Sequence, residues 1–211
     1  MKYLLILTLA LTTTFAFSQS HLGIKFGSPT ISTQSTSKDF YDRDSGSLYS
    51  LDYLSTKTSY SYGISIYHDI GENWWLSTDV LYRKKEVNFN VADSQFGRST
   101  NPYSDKFNEV SFPVAAGIRR NNFKIGLGPI FTYKVKSELS LTSMEGFSSN
   151  ERKLNTGFQF MIGYIIKDRI HIDLKRELNF NGSADEYYFD HKQLKLKTMP
   201  NTFSISAAIY L

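Results

Sequence analysis

Over much of its length the chain changes polarity at nearly every residue. Tyr60, Tyr62, Ile64 and Ile66 alternate with Ser59, Ser61, Gly63 and Ser65, and Trp74, Leu76, Val80 and Tyr82 alternate with Trp75, Ser77, Asp79 and Arg83. In the stretch FKIGLGPIFTYKV, Phe123, Ile125, Leu127, Phe131, Tyr133 and Val135 alternate with Lys124, Gly126, Gly128, Thr132 and Lys134. A period of two marks a strand with one apolar face. The same pattern is found around Leu22–Phe26, Val110–Ile118, Phe158–Tyr164, Ile170–Phe180 and Phe203–Leu211.

Eight strands are therefore predicted. Gly71-Glu72-Asn73, Arg120-Asn121-Asn122 and Lys167-Asp168 make three short turns. Four polar, turn-rich connections, at about 28–56, 91–105, 137–152 and 181–197, are long. Long and short connections alternate, so all the long ones fall at one end, as they do in outer-membrane barrels.

The two faces then decide which solvent lies outside. An eight-stranded barrel has an interior only just wide enough for ordinary side chains, and the Phe, Ile, Leu and Tyr of eight strands would overfill it. The polar face is rich in Gly, Ser and Ala and carries charges of both signs. Lys25, Arg83, Arg119, Lys124, Lys134 and Lys175 are expected inside, paired with Asp79, Glu109, Asp173 and Glu177, because compensated charge avoids most of the desolvation cost of burial. Outside, Trp74, Phe123 and Tyr164 fall beside the short turns, and Tyr60, Tyr62, Tyr82, Phe107 and Tyr133 beside the long loops. Two aromatic girdles are the mark of two membrane interfaces. The predicted fold is all-β: an eight-stranded antiparallel up-and-down transmembrane β-barrel with three short periplasmic turns and four long extracellular loops. Two residues strain this scheme. Pro129 lacks a ladder N–H, so a bulge or local break is expected beside Gly128, and Arg176 has outward parity, which places it at the upper headgroup level.

The first residues, MKYLLILTLALTTTFAFSQS, have Lys2, an apolar run and small residues at the expected spacing, so 1–18 read as a cleaved secretory signal and 19–211 as one barrel domain. Of the 24 basic residues one, Lys2, leaves with the signal, so 23 face 20 acidic ones, and no basic cluster suggests nucleic acid. Cysteine is absent, which excludes disulfides and thiolate metal sites. After the signal no apolar run is long enough for a membrane helix.

Little here looks like a reaction centre. His21, His68, His171 and His191 lie on different elements and lack the spacing of a metal site. Asp190-His191 with Ser149 is the one hydrolase-like set, and any chain of this length offers such a set. Gly126-x-Gly128 lacks the following helix of a nucleotide-binding turn and reads as room for luminal Lys and Arg side chains. No catalytic residue, metal or cofactor is expected, and the protein is read as a non-enzyme.

The hairpin FNEVSFPVAAGIRRNNFKIGLGPIFTY resembles the PorT-like outer-membrane β-barrel domain family in Glu109, Val110, Pro113, Arg119, Gly128 and Pro129, and DVLYRKKEVNF resembles its third strand. Glu86 stands near where that family often has Gly, and Pro113 lies two residues beyond the usual spacing. The resemblance implies a barrel in the outer membrane of a Gram-negative bacterium, and it links the chain to a family whose named member serves protein secretion and gliding. The expected role is structural, adhesive or in envelope assembly. The partners are outer-membrane lipid and, through Tyr-rich loops such as KDFYDRDSGSLYSLDY and ADEYYFDH, envelope or secretion-machinery proteins. The alternatives are a scaffold or narrow gated pore of a secretion or transport apparatus, and a soluble exported lipocalin-like binding protein.

Overall fold

The computed structural model describes residues 19–32, 36–41, 48–93, 98–143, 146–151, 153–180, 185–189, 192–194 and 202–211. The segment read as a signal lies outside them. The described residues form β1 (Gln19–Gly27), β2 (Thr30–Ser32), β3 (Thr36–Tyr41), β4 (Leu48–Thr58), β5 (Ser61–Ile70), β6 (Trp74–Asp93), β7 (Arg98–Arg120) and β8 (Phe123–Glu138). After a single 3-10 turn at Leu141–Ser143 come β9 (Phe147–Glu151), β10 (Leu154–Ile166), β11 (Ile170–Asn179), β12 (Asp185–Phe189), β13 (Lys192–Leu194) and β14 (Thr202–Tyr210).

Eight of these strands close a ring in the order β1, β5, β6, β7, β8, β10, β11, β14, with β14 paired antiparallel to β1. The ring has no free edge, so every ladder can satisfy its backbone groups internally, as a lipid-facing sheet requires. Its stagger follows from the register. A row leaving β10 at Tyr164 passes through Ile172, Ala207, Phe26, Tyr62, Tyr82, Val110 and Tyr133 and returns to β10 at Leu154, ten residues away. With ordinary strand spacings that shear tilts the strands by about 40°.

The short turns have the chemistry their geometry needs. Lys167 and Asp168 both adopt positive φ, and the Arg169 N–H donates to the Ile166 carbonyl, closing a tight turn whose twist suits a hairpin. Gly71 opens the first turn at φ 64°, a conformation glycine adopts freely. At the prolines the ladder breaks without slipping. Bridges stop between Pro113↔Ile130 and Ala116↔Leu127, opposite Pro129, and resume in the same register, so no bulge forms there. The extra residue sits higher, between Asn108 and Glu109, where β8 spends Val135 without a partner.

Across the ring the apolar face points outward. Ile24, Ile64, Val80, Leu127, Ile162, Leu174 and Ile205 are exposed, while Lys25, Asp79, Glu109, Lys124, Asp173 and Lys175 are buried. Arg176 is also outward, its guanidinium 5.3 Å from the Phe203 ring centre. Above the ring the pattern inverts. On β6 the outward positions change from Trp74, Val80 and Tyr82 to Lys84, Glu86, Asn88 and Asn90, while the inward ones change from Ser77, Asp79 and Lys85 to Val87, Phe89 and Val91.

Two expectations about this end are corrected. Segments 28–56 and 91–105, read as long loops, are largely strand: β6 and β7 run on past the ring, β4 pairs with β6 from Thr58↔Lys85 to Tyr49↔Asp93, and β2 and β3 pair with β4. Phe107, read as an outer girdle residue, is 1% exposed. It shares the odd parity of Glu109 and Ser111, which face inward along β7.

Candidate functional site

Two buried regions stack along the barrel axis. The lower one is ionic. Lys25 Nζ lies 2.8 Å from Asp79 and 3.4 Å from Asp173, Lys124 Nζ is 2.8 Å from Asp173, and Lys175 Nζ is 3.5 Å from Asp79. All five side chains are almost fully buried. Ser65 Oγ donates to Asp79 at 2.6 Å and shares a 2.7 Å hydrogen bond with the Tyr210 hydroxyl. One level up, Arg83 donates to Glu109 at 3.0 Å, to Glu177 at 3.1 Å and to Thr132 Oγ1 at 3.2 Å.

These contacts rarely join neighbouring strands. Lys25 reaches β6 and β11, each two strands away, while Lys175 to Asp79 and Arg83 to Glu177 both span from β11 to β6 on the opposite wall. Lys124 on β8 meets Asp173 on β11 by crossing β10 at Gly163, where even a methyl group would collide with both side chains. Glycine there is the condition for the pair.

Toward the short turns the lumen is aromatic. Tyr67, Trp75, His171 and Tyr210 pack against one another, with Tyr67 stacked on Trp75 at 5.9 Å and edge-on to His171 at 4.6 Å. Lys124 Nζ lies over the Tyr67 and Trp75 rings at 5.3 and 5.2 Å and 3.2 Å from His171 Nδ1. A cation over aromatic faces is attracted by their quadrupoles. Gly126, read as room for a luminal cation, instead makes room for the Trp75 indole.

Arg119 takes another place than the interior carboxylates offered. Arg119 sits at the short-turn end, 3.6 Å from Asp69 and bonded to Asp168. Lys134 is cross-strand from Glu109, and its Nζ lies 4.4 Å above the Phe107 ring.

The upper region is apolar. Phe40, Leu51, Tyr53, Val87, Phe89, Val91, Phe107, Leu141, Phe147 and Phe189 form one buried cluster. Phe40, Phe147 and Phe189 come from β3, β9 and β12 and meet with ring centres 4.4–5.3 Å apart. Each such side chain contributes about 1.5–3 kcal/mol by leaving water, so the long connections are tied together by their own core. Leu141 is fully buried there, and Asp105 Oδ1 satisfies its backbone N–H at 3.1 Å. The Tyr53 hydroxyl bonds Thr56 Oγ1 at 2.7 Å, and burial pushes that phenol above its ordinary range. Phe107 joins the two regions, with Lys85 and Lys134 over its ring.

Around the outside, Phe123 and Tyr164 pack edge to face at 5.0 Å by the short turns, and Tyr62 and Tyr82 pack at 5.5 Å by the other end. Trp74, Tyr60 and Tyr133 are exposed at their respective ends. Among the described residues no cluster of three or more His, Cys, Asp or Glu could hold a metal, and no helix is long and apolar enough to cross a membrane, which says nothing of strands. Asp190 and His191 lie outside the described residues, and Ser149 sits in β9 opposite Tyr187. The inward run of Val87, Phe89 and Val91, a regular alternation with Asn88 and Asn90, was the signal that could have revealed this upper apolar region, the cap of the barrel.

No family model matches the chain, and no curated protein matches it. Among solved structures it is similar to the outer membrane protein OprG from Pseudomonas aeruginosa, at 13% identity and TM-score 0.48, covering 92% of this chain and 95% of that one. It is also similar to the outer membrane protease OmpT from Escherichia coli, at 10% identity and TM-score 0.33, covering 90% of this chain and 94% of that one. A third, the beta domain of the Bordetella autotransporter BrkA, is 8% identical with TM-score 0.32, over 91% and 99% of the two chains. Likenesses this distant carry no activity across, and the barrel stands on the strand pairing of this chain.

Proposed function

We propose that the protein is an integral outer-membrane barrel of a Gram-negative envelope, non-enzymatic, whose task is to hold a rigid β-structured platform at the cell surface for adhesion or envelope assembly. The observation that carries this reading is the inversion of polarity along β6. Below it the wall is apolar outside and ionic inside, as lipid demands; above it the wall is polar outside and apolar inside, as water demands. On β8 the outward run from Phe123 to Tyr133 rises about 25 Å at the tilt of the strands, the height of the apolar band of such barrels. A soluble calyx would show the opposite arrangement in the ring.

Side chains that fill the lumen at the level of Lys25, Asp79, Asp173 and Lys175 support presentation over transport. Membership of the PorT-like family belongs to the same proposal and favours a scaffold within a secretion apparatus as the form that assembly takes. The test is extraction of the native protein from envelopes. A band found only in detergent, migrating faster before boiling, with a flat current in planar bilayers, is the expected result. Release into the aqueous phase would sink the membrane reading, and steady ion conductance would sink the presentation role.

A further inference from the structure

Directly above the tyrosine belt the outer wall carries lysines on four adjacent strands. The belt row runs Tyr62, Tyr82, Val110, Tyr133. The next outward row up contains Lys84, Asn108 and Lys136, and the row above that is Lys57, Glu86, Lys106 and Glu138. A cleft of about 620 Å³ opens between these rows, lined by Lys57, Lys84, Lys106, Lys136, Glu86 and Glu138. Both carboxylates already have donors: Ser104 Oγ bonds Glu86 at 2.7 Å and Lys136 Nζ bonds Glu138 at 2.7 Å. The four lysines are exposed, outnumber the carboxylates, and converge on one concave surface.

We propose that this cleft seats the phosphate-bearing headgroup of an outer-leaflet glycolipid. The occupant follows from position. The cleft is continuous below with the lipid-facing wall at Tyr82, Val110 and Tyr133, so a ligand with phosphate above and acyl chains beneath matches both chemistries at once. Lysine meets phosphate as a point charge, and basic clusters at an interface hold anionic headgroups in this way. The proposal rests on the membrane reading above.

The folded protein in neutral detergent is titrated with a fluorescent diphosphorylated glycolipid and with the same lipid after phosphate removal. Wild type is expected to prefer the phosphorylated form, less so at high salt. K84Q/K136Q is expected to bind it about 25-fold more weakly, at about fivefold per lysine, while R120Q/R169Q at the short-turn end, an equal charge change, leaves affinity unaltered. Equal binding of both lipids would overturn the proposal, as would an unaffected K84Q/K136Q that retains its unboiled gel shift. Inorganic phosphate competing as strongly as the lipid would overturn it too, since the site would then be one for free anions. The membrane reading fails separately: a wild-type chain that stays monomeric and folded without detergent refutes both, whereas a detergent-dependent barrel blind to lipid phosphate refutes only the cleft.

Discussion

The lumen and the cap are built by the same strands from opposite materials. Within the ring β6 turns Ser77, Asp79 and Arg83 inward, and a few residues later it turns Val87, Phe89 and Val91 inward. On the proposed membrane reading, what changes between them is the solvent outside. A strand backed by hydrocarbon gains little by burying apolar groups inside rather than leaving them in lipid, and above the aromatic cluster by the short turns its interior is held by charge and hydrogen bonds. A strand backed by water regains the hydrophobic effect and builds an ordinary core.

That contrast can be broken most forcefully in the lumen. Asp173 takes two ammonium groups, so Asp173→Leu strips Lys124 of its carboxylate and leaves Lys25 to Asp79 alone, and is expected to cost about 4 kcal/mol, read as a lower denaturant midpoint of the unboiled band. Adding Lys124→Met should recover part of the loss, because one of the two cations goes with it. In the cap, Phe89→Ala is expected to cost about 3 kcal/mol by opening a cavity, yet locally: proteolysis of the long-connection end should accelerate while the gel shift of the barrel holds. A loss of the gel shift would show that the two regions fold as one.

The solvent argument is sharpened by one face of one strand. Val80→Arg points a cation at the mid-belt and is expected to cost about 2 kcal/mol or more in a bilayer, whereas Asn90→Arg, outward and above the inversion, should change stability by no more than about 0.5 kcal/mol. Equal effects in lipid-embedded protein would refute the interface drawn at Lys84. The smallest change is Tyr53→Phe, which removes one hydrogen bond to Thr56 and is expected to lower cap stability by about 1 kcal/mol, seen as faster amide exchange in β4.

The strand number, the ring order and the direction of the apolar face were legible in the sequence, because alternation over a dozen residues leaves only one face for Ile125, Leu127 and Phe131. The cap was obscured by composition. Asn88, Asn90, Asp93 and Ser94 resemble a turn, and the apolar partners of Val87, Phe89 and Val91 lie far off in β3, β4, β9 and β12. Phe107 was misplaced for a simpler reason: its aromatic character outweighed its parity. The luminal contacts could not be read at all, because which cation meets which carboxylate depends on the shear. Arg119 has the same inward parity as Glu109, yet it lies at the other end of β7 and meets Asp69 and Asp168 instead.

The contacts from β11 to β6 also bear on assembly. Lys175 and Asp79, like Glu177 and Arg83, come from opposite walls and can meet only after the sheet has curled and its two ends have joined. A hairpin or an open sheet holds these residues apart, hydrated and unrewarded. A ring closed one residue out of step would point them at lipid or at a like charge. The transverse ion pairs therefore act as a proofreading device for closure: they add nothing to the early intermediates and discriminate sharply among the finished ones.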